Sequence, residues 1–592
     1  MQNAETVLSV IRNRGERGLP LERIYRMLFN PELLLLGYSR IYANRGAMTP
    51  GVDGGTADGM SMRQIHQIID ALRAEKYRWK PARRTYIPKK GGKKRPLGMP
   101  TWSDKLTAEV VRMILDAYYE PQFSDRSHGF RRGRGCHTAL TEIQRTWTGT
   151  SWFIEGDISD CFGSLDHEVL LSLLRRKIRD ERFIRLVRNM LEAGYLEDWN
   201  WNATTSGAPQ GGIASPVLSN IYLHELDRFV ETVLQPEYTR GRVRKANPSY
   251  ARLRARVNYW RGRGDVAKAN ELRRKSQTIP AMDLRDPGYR RLRYVRYADD
   301  WLIGFTGPRD EAEEIKARVT EFLRNELRLS LSAPKTLVTN AGQSARFLGY
   351  EISKQVEDTK MTSSRRKVNG HIGLYVPKEF VTEKSTRYMR SGVPASRTEM
   401  IHDEDFSIVA QFGREWRGYV EFYALANNIR ALRKLKWVMQ QSMLKTLANK
   451  HKATVPSMAA RYRATHVDGD GVRLTCFEVR VSRDGRNDLV ARMGGLRLTR
   501  KPTAVIADRR VRTVAPRNEI FRRVMAEVCE HCGSSSQVEV HHVRKLADLK
   551  RDGRTNSPWW VQLMAARRRK TLVLCTRCHD EVHAGHGSKP TR

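Results

Sequence analysis

The chain has 592 residues, and 106 Lys and Arg against 65 Asp and Glu give it a formal net charge of +41. Apolar residues make up 40% of the sequence, which is enough to form the cores of several domains. They include 12 Trp, 21 Tyr and 16 Phe, and this aromatic content excludes wholesale disorder. The mean hydropathy of −0.58, with Leu33 to Leu36 as the longest purely aliphatic run near the start, excludes an integral membrane protein.

A sequence pI near 10.3 predicts a polyanionic partner, because basic side chains gain affinity by releasing counterions from phosphates. Composition alone leaves nucleic acid and an anionic membrane surface open. Aromatic residues interleaved with arginine, rather than placed along one amphipathic helix, favour nucleic acid and no membrane partner. The first residues lack the basic and apolar segments of a secretory signal, which predicts an intracellular protein.

Helical stretches alternate with short strand-like runs from about residue 80 to residue 360, an α+β pattern. The run from Trp152 to Asp157 predicts a buried strand that ends in an acid. Two β-prone runs further on are separated by Ala298-Asp299-Asp300, which predicts a hairpin with two adjacent acids at its tip. Like charges in a tight turn are costly unless a cation neutralises them. Most Asp-Asp pairs are ordinary turns, so the pair alone leaves both interpretations open.

Between these two acidic positions, residues 235–291 are exceptionally rich in arginine and tyrosine. A structureless loop of this length is uncommon, so the segment is predicted to be an insertion with its own helices. Contact with RNA and a solvated, functionally silent insert both remain open for it.

Apolar residues recur at helical spacing from Phe412 to Lys452, which predicts an α-helical domain over residues 361–480. Basic residues fall on the opposite face of these helices and are candidate RNA ligands: Arg430, Arg433, Lys434 and Lys436. Residues 481–524 are rich in arginine and poor in large apolar clusters, which predicts a DNA-binding connector, with a solvated linker as the alternative.

Four of the seven cysteines form two C-x-x-C pairs at the C-terminal end: Cys529, Cys532, Cys575 and Cys578. An odd total in a predicted intracellular protein argues against a disulfide framework. The two pairs have the spacing of a tetrahedral thiolate zinc site, and a small domain from about residue 525 to 592 needs such a staple. The long segment between the pairs excludes a simple zinc ribbon.

The central motifs, taken in order, resemble those of reverse transcriptases, and more narrowly the proteins encoded by group II introns. The set comprises Asn44-Arg45-Gly46-Ala47, Thr49-Pro50-Gly51-Val52-Asp53-Gly54, Gly92-Lys93-Lys94-Arg95-Pro96-Leu97-Gly98-Met99-Pro100, Ser127-His128-Gly129-Phe130-Arg131, Asp157, Pro209-Gln210-Gly211, Tyr297-Ala298-Asp299-Asp300, Ser332-Ala333-Pro334-Lys335-Thr336 and Phe347-Leu348-Gly349-Tyr350. Further on, Trp416-Arg417-Gly418-Tyr419-Val420-Glu421-Phe422-Tyr423 resembles the family's maturase signature.

The resemblance implies roles for individual residues. Asp157, Asp299 and Asp300 would hold the two Mg²⁺ ions of nucleotidyl transfer. Phe162 would screen the sugar edge of the incoming nucleotide against a 2′-hydroxyl. Four further positions would contact the nucleotide, its triphosphate or the leaving pyrophosphate, namely Lys93, Arg95, Gln210 and Lys335. Gly163 stands where relatives often carry another acid and is left out of the metal site.

The terminal segment resembles an HNH endonuclease, a ββα fold around one divalent ion, in Val540-His541-His542-Val543 and Cys578-His579-x-x-x-His583. The resemblance implies that His541, His579 and His583 bind that ion, with Mg²⁺ as the expected metal, and that His542 deprotonates the attacking water. Thr571 stands near the usual place of the family's central Asn. A purely structural zinc finger is the alternative, although it leaves the His pairs unexplained.

The predicted architecture is thus an α+β right-hand polymerase, with fingers, palm and helical thumb, and a C-terminal zinc-containing HNH domain. Its parts are an N-terminal extension with fingers (1–130), a palm (131–360), a thumb and maturase domain (361–480), the connector (481–524) and the HNH domain (525–592). The resemblance implies binding to the protein's own intron RNA, help with its splicing, cutting of a double-stranded DNA target and copying of the intron from dNTPs. The bacterial cytoplasm is the expected location, with an organelle left open.

Two rival functions remain at this stage. One is a domesticated or defence-associated reverse transcriptase, which normally lacks a maturase region and this nuclease tail. The other is a non-enzymatic splicing factor, against which the three intact acids argue. The oligomeric state, the intron subclass and the DNA target are left open by the sequence.

Overall fold

The computed structural model describes residues 3–44, 46–88, 94–197, 200–204, 206–207, 211–357, 368–483, 486–506, 519–543, 558–567 and 569–584. Two of the predicted nucleotide contacts, Lys93 and Gln210, lie outside these ranges. Within the described part of the chain no helix is long and apolar enough to cross a membrane.

The N-terminal elements pack around one long, almost fully buried helix, α4. They are α1 (Ala4–Glu16), β1 (Leu21–Glu22), α2 (Pro31–Ile41), β2 (Met60–Ser61), α3 (Met62–Arg73), β3 (Ala82–Pro88), β4 (Lys94–Met99) and α4 (Trp102–Tyr119). The Thr101 side chain caps α4 by accepting a hydrogen bond from the Asp104 backbone N–H. Helices α1 and α2 both lie against α4, and their buried residues belong to a hydrophobic core that extends into the central region.

The central region is built on a four-stranded antiparallel sheet in the order β11-β5-β10-β9. Its elements are α5 (Cys136–Thr146), β5 (Trp152–Asp157), α6 (Cys161–Ser164), α7 (His167–Arg175), β6 (Ile178–Arg179), α8 (Glu181–Glu192), β7 (Tyr195–Glu197), β8 (Asn200–Asn202), α9 (Ser215–Phe229), α10 (Gln235–Glu237), α11 (Pro248–Gly262), α12 (Val266–Gln277), β9 (Arg291–Tyr297), β10 (Asp300–Thr306), α13 (Arg309–Asn325), β11 (Leu337–Asn340), β12 (Ala345–Phe347) and β13 (Tyr350–Lys354). Strand β10 is buried along almost its whole length, which requires elements on both faces of the sheet.

The insertion over residues 235–291 has its own helices, as predicted. Helices α11 and α12 pack against each other and bury little apolar surface beyond Val257, Ala269 and Leu272. Arginine and aromatic side chains occupy much of the remaining surface, and Tyr259 is half exposed.

The following region is helical at its centre, with β14 (Ile372–Tyr375), α14 (Lys378–Thr386), β15 (Met389–Arg390), β16 (Val393–Pro394), α15 (Asp405–Phe422), α16 (Arg433–His451) and α17 (Val455–Tyr462). The buried face of α15 includes Trp416, which is fully inaccessible. Gly413 brings α15 against the next sheet, because a Cβ at this position would collide with the Arg492 carbonyl oxygen.

One predicted boundary is wrong. A three-stranded antiparallel sheet, β17 (Arg463–Val467), β18 (Arg473–Arg483) and β19 (Arg486–Gly494), runs across the boundary placed at residue 480 and packs on α15. Residues 361–480 are therefore not purely helical, and the connector begins with part of this sheet. The strand was not predicted because only Cys476 and Phe477 are buried along β18. These two neighbours point to opposite faces of the sheet, so buried and exposed residues do not alternate along the strand.

The C-terminal module comprises α18 (Glu519–Met525), β20 (Val538–His542), α19 (Trp559–Arg567), β21 (Thr571–Cys575) and α20 (Thr576–His583). Strands β20 and β21 form an antiparallel pair followed directly by α20. The module does not stand apart, because β2 joins its sheet in the order β2-β20-β21. Ile520, Val524, Val540 and Val573 belong to the same hydrophobic core as α2, α3 and α4.

Candidate functional sites

The hairpin carboxylates (Asp157, Asp299 and Asp300) lie at one end of the central sheet. Asp157 is the last residue of β5 and Asp300 is the first residue of β10, and the two are register partners. Ala298 and Asp299 form the two-residue turn between β9 and β10. The hairpin predicted from the sequence is confirmed, with Asp300 as a strand residue rather than part of the turn.

Burial and repulsion between carboxylates both disfavour ionisation of Asp299 and Asp300. Burial is the main cause that raises the pKa of Asp299, and the charge of Asp157 adds to it. Burial, the charge of Asp299 and a side-chain hydrogen bond with Asp157 raise the pKa of Asp300. Such a cluster gains free energy when a cation neutralises it, so the arrangement fits a divalent metal.

Three other predicted polymerase residues are described, and two of them, Lys335 and Arg95, interact with the hairpin carboxylates. The Lys335 ammonium donates a hydrogen bond to Asp157 Oδ2 over 2.8 Å. Arg95 is exposed on β4, and its charge acts to lower the pKa of Asp299. Phe162, on α6, is half-buried and meets Phe130 edge to face, with ring centroids 6.1 Å apart. Lys93 and Gln210, outside the described residues, stay predictions.

A buried ion pair, which the sequence analysis missed, supports the turn. Arg296 and Asp227 are both fully buried and lie 2.6 Å apart. The pair holds the pKa of Asp227 below its usual range against the opposing effect of burial. The Arg296 guanidinium also donates to the Ala298 carbonyl (2.8 Å) and to Ser127 Oγ (2.9 Å). Arg296 lies on the same face of β9 as the buried Leu292 and Tyr294, and this placement was the available signal for the network.

The turn itself has an unusual backbone conformation. Ala298 has a φ of 55°, in the left-handed region that costs a non-glycine residue free energy. Gly129 packs so closely on this turn that a Cβ at position 129 would collide with the Ala298 backbone nitrogen. Asn220 fixes the Gly129 loop by donating a hydrogen bond to its carbonyl over 2.9 Å. These contacts leave the Asp299 backbone little freedom.

The four predicted zinc ligands come together in the C-terminal module. The sulfur atoms of Cys529, Cys532, Cys575 and Cys578 all lie within 4.8 Å of one another. Cys532 Sγ and Cys575 Sγ are 3.7 Å apart, close to the edge of a tetrahedron with Zn–S bonds of about 2.3 Å. Burial acts to raise the pKa of Cys529, but hydrogen bonds from backbone N–H groups lower it to about 7, which favours the thiolate that binds metal.

The predicted nuclease ligands also converge, together with a residue that the sequence analysis missed. His541, His579, His583 and Asp58 each offer a ligand atom within 4.8 Å of the others. His579 Nδ1 lies 3.0 Å from Glu539 Oε2, so a proton on Nδ1 leaves the Nε2 lone pair free for a metal. Neither ring nitrogen of His541 has a hydrogen-bond partner among the described residues, although the side chain is buried. These observations fit a metal ion.

His542, the predicted general base, lies beside this cluster on β20. Burial lowers its pKa, so the ring is neutral near neutral pH and able to accept a proton. It is 4% exposed, and Tyr42 lies edge to face against it with ring centroids 6.0 Å apart. Thr571 is its register partner on β21, and the Thr571 hydroxyl accepts a hydrogen bond from Arg523.

The predicted RNA-binding residues lie at and near the start of α16. Arg430, Arg433 and Lys434 are exposed, whereas Lys436 is half-buried, and burial lowers its pKa. Lys436 is therefore the least available of the four for a phosphate. Trp437, which the sequence analysis missed, is 55% exposed beside them and offers a surface for base stacking.

Comparison with known families agrees with this arrangement of sites. Residues 87–352 match the family described as reverse transcriptase (RNA-dependent DNA polymerase). Residues 373–469 match type II intron maturase, and residues 529–579 match the AI2M/AI1M-like HNH endonuclease. The chain therefore combines a polymerase of right-hand fold, a maturase and an HNH endonuclease.

Relatives are similar over nearly the whole chain. The chain is 37% identical over 586 residues to the group II intron-encoded protein LtrA of Lactococcus lactis subsp. cremoris, covering 95% of this chain and 96% of LtrA. It is 33% identical over 595 residues to an uncharacterized 91 kDa protein in the cob intron of Schizosaccharomyces pombe, covering 97% and 71% of the two chains. The chain belongs to the group II intron-encoded proteins, and its polymerase and endonuclease make it an enzyme.

Replacing Asp299 with Asn should abolish DNA synthesis and stabilise the hairpin in Mg²⁺-free buffer. Loss of a metal carboxylate costs several kcal/mol of transition-state stabilisation, so primer extension should fall by about 10³-fold or more. A carboxyl whose pKa is raised by folding destabilises the folded state once the pH exceeds that pKa. Hydrogen exchange of β9 and β10 should therefore be slower in the variant at pH 8, with the difference shrinking as the pH falls.

Asp310→Asn, on the exposed start of α13, is the control and should change neither measurement. Full primer extension by Asp299→Asn would contradict the assignment of Asp299 to the metal site.

Proposed function

We propose that the hairpin carboxylates bind Mg²⁺ and form the active site for copying intron RNA into DNA. The observation that carries this proposal is the pairing of Asp157 with Asp300 beside the Asp299 turn, where burial raises the pKa of both Asp299 and Asp300. Bound Mg²⁺ activates a primer hydroxyl and stabilises a leaving pyrophosphate. Arg95, with Lys93, binds the triphosphate of a dNTP, and Gln210 lies near the nucleotide and template.

Lys335 and Phe162 have separate roles in the proposed polymerase site. The Lys335 ammonium, held 2.8 Å from Asp157, donates a proton to the pyrophosphate. Phe162 presents its ring beside the hairpin and excludes the 2′-hydroxyl of a ribonucleotide. Phe130 supports that ring edge to face, and the close contact keeps it from turning aside.

The maturase region binds the intron RNA that encodes the protein and assists the splicing of that RNA. The basic face at the start of α16 supports this proposal, because Arg430, Arg433 and Lys434 are exposed around Trp437. Cations attract the phosphates, and an exposed indole stacks on unpaired bases. Lys436 contributes mainly through packing, since it is half-buried.

The C-terminal module cuts one strand of a double-stranded DNA target. A zinc ion on the four cysteines stabilises the module, and His541, His579 and His583 hold a second divalent ion, with Mg²⁺ as the expected metal. That ion polarises the scissile phosphate when bound. His542, neutral because of burial, takes the proton of the attacking water. The hydroxyl of Thr571 is already bonded to Arg523, so it does not orient His542 as an Asn side chain would.

Together these activities allow the protein to insert its own intron into a DNA target. The intron RNA, bound by the protein, inserts into one DNA strand, the nuclease cuts the other, and the polymerase extends the freed 3′ end. Neither rival function has support in this arrangement, because both a maturase region and a built nuclease site accompany the polymerase residues.

Replacing Arg433 and Lys434 together with Ala should weaken binding of the intron RNA and flatten its dependence on salt. Each lost phosphate contact lowers the slope of log K against log salt by about 0.7 to 0.9, so the pair should lower it by about 1.4 to 1.8. Filter binding at KCl concentrations from roughly 100 to 500 mM measures the slope. Arg309→Ala with Arg324→Ala on α13 removes the same charge elsewhere and should leave it unchanged.

Replacing His542 with Ala should slow second-strand nicking by roughly 10²- to 10⁴-fold, because only the general base is lost. Zinc content and primer extension should stay normal. Cys529→Ser should instead lose zinc and nicking together while primer extension continues. The assay is nicking of a labelled DNA target by the reconstituted protein and intron RNA, with zinc measured for each variant.

The exposed His66 on α3 provides the matched control, since His66→Ala should nick at the normal rate. Normal nicking by His542→Ala with zinc retained would mean that the module binds DNA without cutting it.

A further inference from the structure

Asp58 comes from the N-terminal block (residues 3–44 and 46–73), far from the nuclease in sequence. It nevertheless contacts the three nuclease histidines. Its carboxylate oxygens lie 2.9 Å from His583 Nε2, 3.4 Å from His579 Nε2 and 3.5 Å from His541 Nδ1. The Asp58 side chain is 15% exposed, so this contact is not a chance encounter at the surface.

These distances fit four ligands around one ion. A tetrahedral site with metal–ligand bonds of about 2.0 to 2.1 Å has ligand atoms about 3.4 Å apart. Asp58 Oδ1 lies close to this distance from His579 Nε2 (3.4 Å) and His541 Nδ1 (3.5 Å), and His579 Nε2 and His583 Nε2 are 3.2 Å apart. Glu539 holds the Nδ1 side of His579, which is the outer-shell partner that a metal-binding histidine needs.

The surrounding backbone fixes Asp58 in this place. Met60 and Ser61 of β2 pair with Val540 and Glu539 of β20, and the Gly59 backbone N–H donates to the Val540 carbonyl. Asp58 Oδ1 also accepts a hydrogen bond from the His542 backbone N–H over 2.7 Å. The carboxylate therefore reaches the cluster from the turn that precedes β2, a strand of the nuclease sheet.

The N-terminal block also covers His542, the proposed general base. His542 is 4% exposed and lies edge to face against Tyr42, which follows α2 in the N-terminal block. A DNA phosphate has to come close to both the divalent ion and His542 for cleavage. Tyr42 packs on His542 and Asp58 contacts the three histidines, so both residues lie against groups that the phosphate has to reach.

We propose that Asp58 is a fourth protein ligand of the nuclease ion and closes the site until DNA displaces it. An ion with tetrahedral coordination is saturated by four protein ligands, whereas a catalytic site keeps one position open for water or substrate. Asp58 is the ligand from outside the ββα unit, so it is the one that a phosphate oxygen replaces. This inference rests on the proposed nuclease function of the histidines.

The test compares Asp58→Asn with Asp53→Asn in the full-length protein. Asn keeps the size of the side chain and an oxygen that accepts the His542 N–H, but it is a poor metal ligand. Asp53 is a nearby exposed carboxylate that pairs with Lys80 and is the matched control. Both changes are made in an Asp157→Asn, Asp299→Asn background, which removes the polymerase metal site, and Mn²⁺ is titrated by calorimetry with zinc left in place.

Asp58→Asn should weaken Mn²⁺ binding by at least about tenfold, since even outer-shell partners of metal ligands contribute 10- to 100-fold. At saturating Mn²⁺ the variant, assembled with intron RNA, should nick target DNA several-fold faster than its parent. Asp53→Asn should match the parent in both measurements.

Three other outcomes are decisive. Unchanged Mn²⁺ affinity in Asp58→Asn, with loss of Mn²⁺ binding in His583→Ala, would overturn Asp58 as a ligand while leaving the nuclease site intact. Weaker Mn²⁺ binding with slower nicking at saturation would make Asp58 a permanent ligand and overturn the closing role. Unchanged Mn²⁺ binding in His583→Ala would instead contradict the proposed nuclease metal site.

Discussion

An ion pair that has no contact with solvent lies behind the polymerase site. Arg296 and Asp227 are both completely buried, and breaking such a pair by removing one partner costs about 3–5 kcal/mol. The remaining Arg296 donors bind the Ala298 carbonyl and Ser127 Oγ, which joins the turn at Ala298 and Asp299 to the loop before Gly129. The turn is strained and carries like charges, so it needs a rigid support of this kind.

The hairpin could be predicted from the sequence, whereas the Arg296–Asp227 ion pair that supports it could not. Asp157, Ala298-Asp299-Asp300 and the strands around them are local patterns, and a turn between two β-prone runs forms wherever those residues occur. Asp227 lies on a helix, and nothing in its neighbourhood distinguishes it from a solvated acid. Its partner is 69 positions away, so only the tertiary structure brings the two together.

In the nuclease site, too, residues close together in the sequence could be predicted and a distant residue could not. The spacing of the cysteines and of His579 and His583 restricts the metal geometry locally, and the sequence indicated these ligands. Asp58 is separated from His542 by 484 positions, and its surroundings in the sequence are those of an ordinary turn. The sheet β17-β18-β19 was missed for a different reason, because β18 is rich in arginine and buries only the two adjacent residues Cys476 and Phe477.

The N-terminal block emerges as a structural link between the two enzymes of the chain. Its helices share one hydrophobic core with the central region and with Ile520, Val524, Val540 and Val573 of the C-terminal module. β2 extends the nuclease sheet, and Asp58 reaches the nuclease histidines. Burial of this shared apolar surface stabilises the contact between the N-terminal block and the C-terminal module. Separating the two would expose that surface to water and would therefore cost free energy.

The role of the buried ion pair can be measured most directly by replacing it with apolar residues of similar size. The double variant Arg296→Met with Asp227→Leu avoids leaving an unpaired buried charge, so it should recover most of the stability that Arg296→Met alone loses. Primer extension should nevertheless stay at least about tenfold below normal, because Ala298 and Ser127 have lost their donor. The control is Arg112→Met with Glu109→Leu, a buried pair on α4, which should extend primers normally. Normal extension by the Arg296 and Asp227 double variant would contradict the claim that this ion pair positions the catalytic turn.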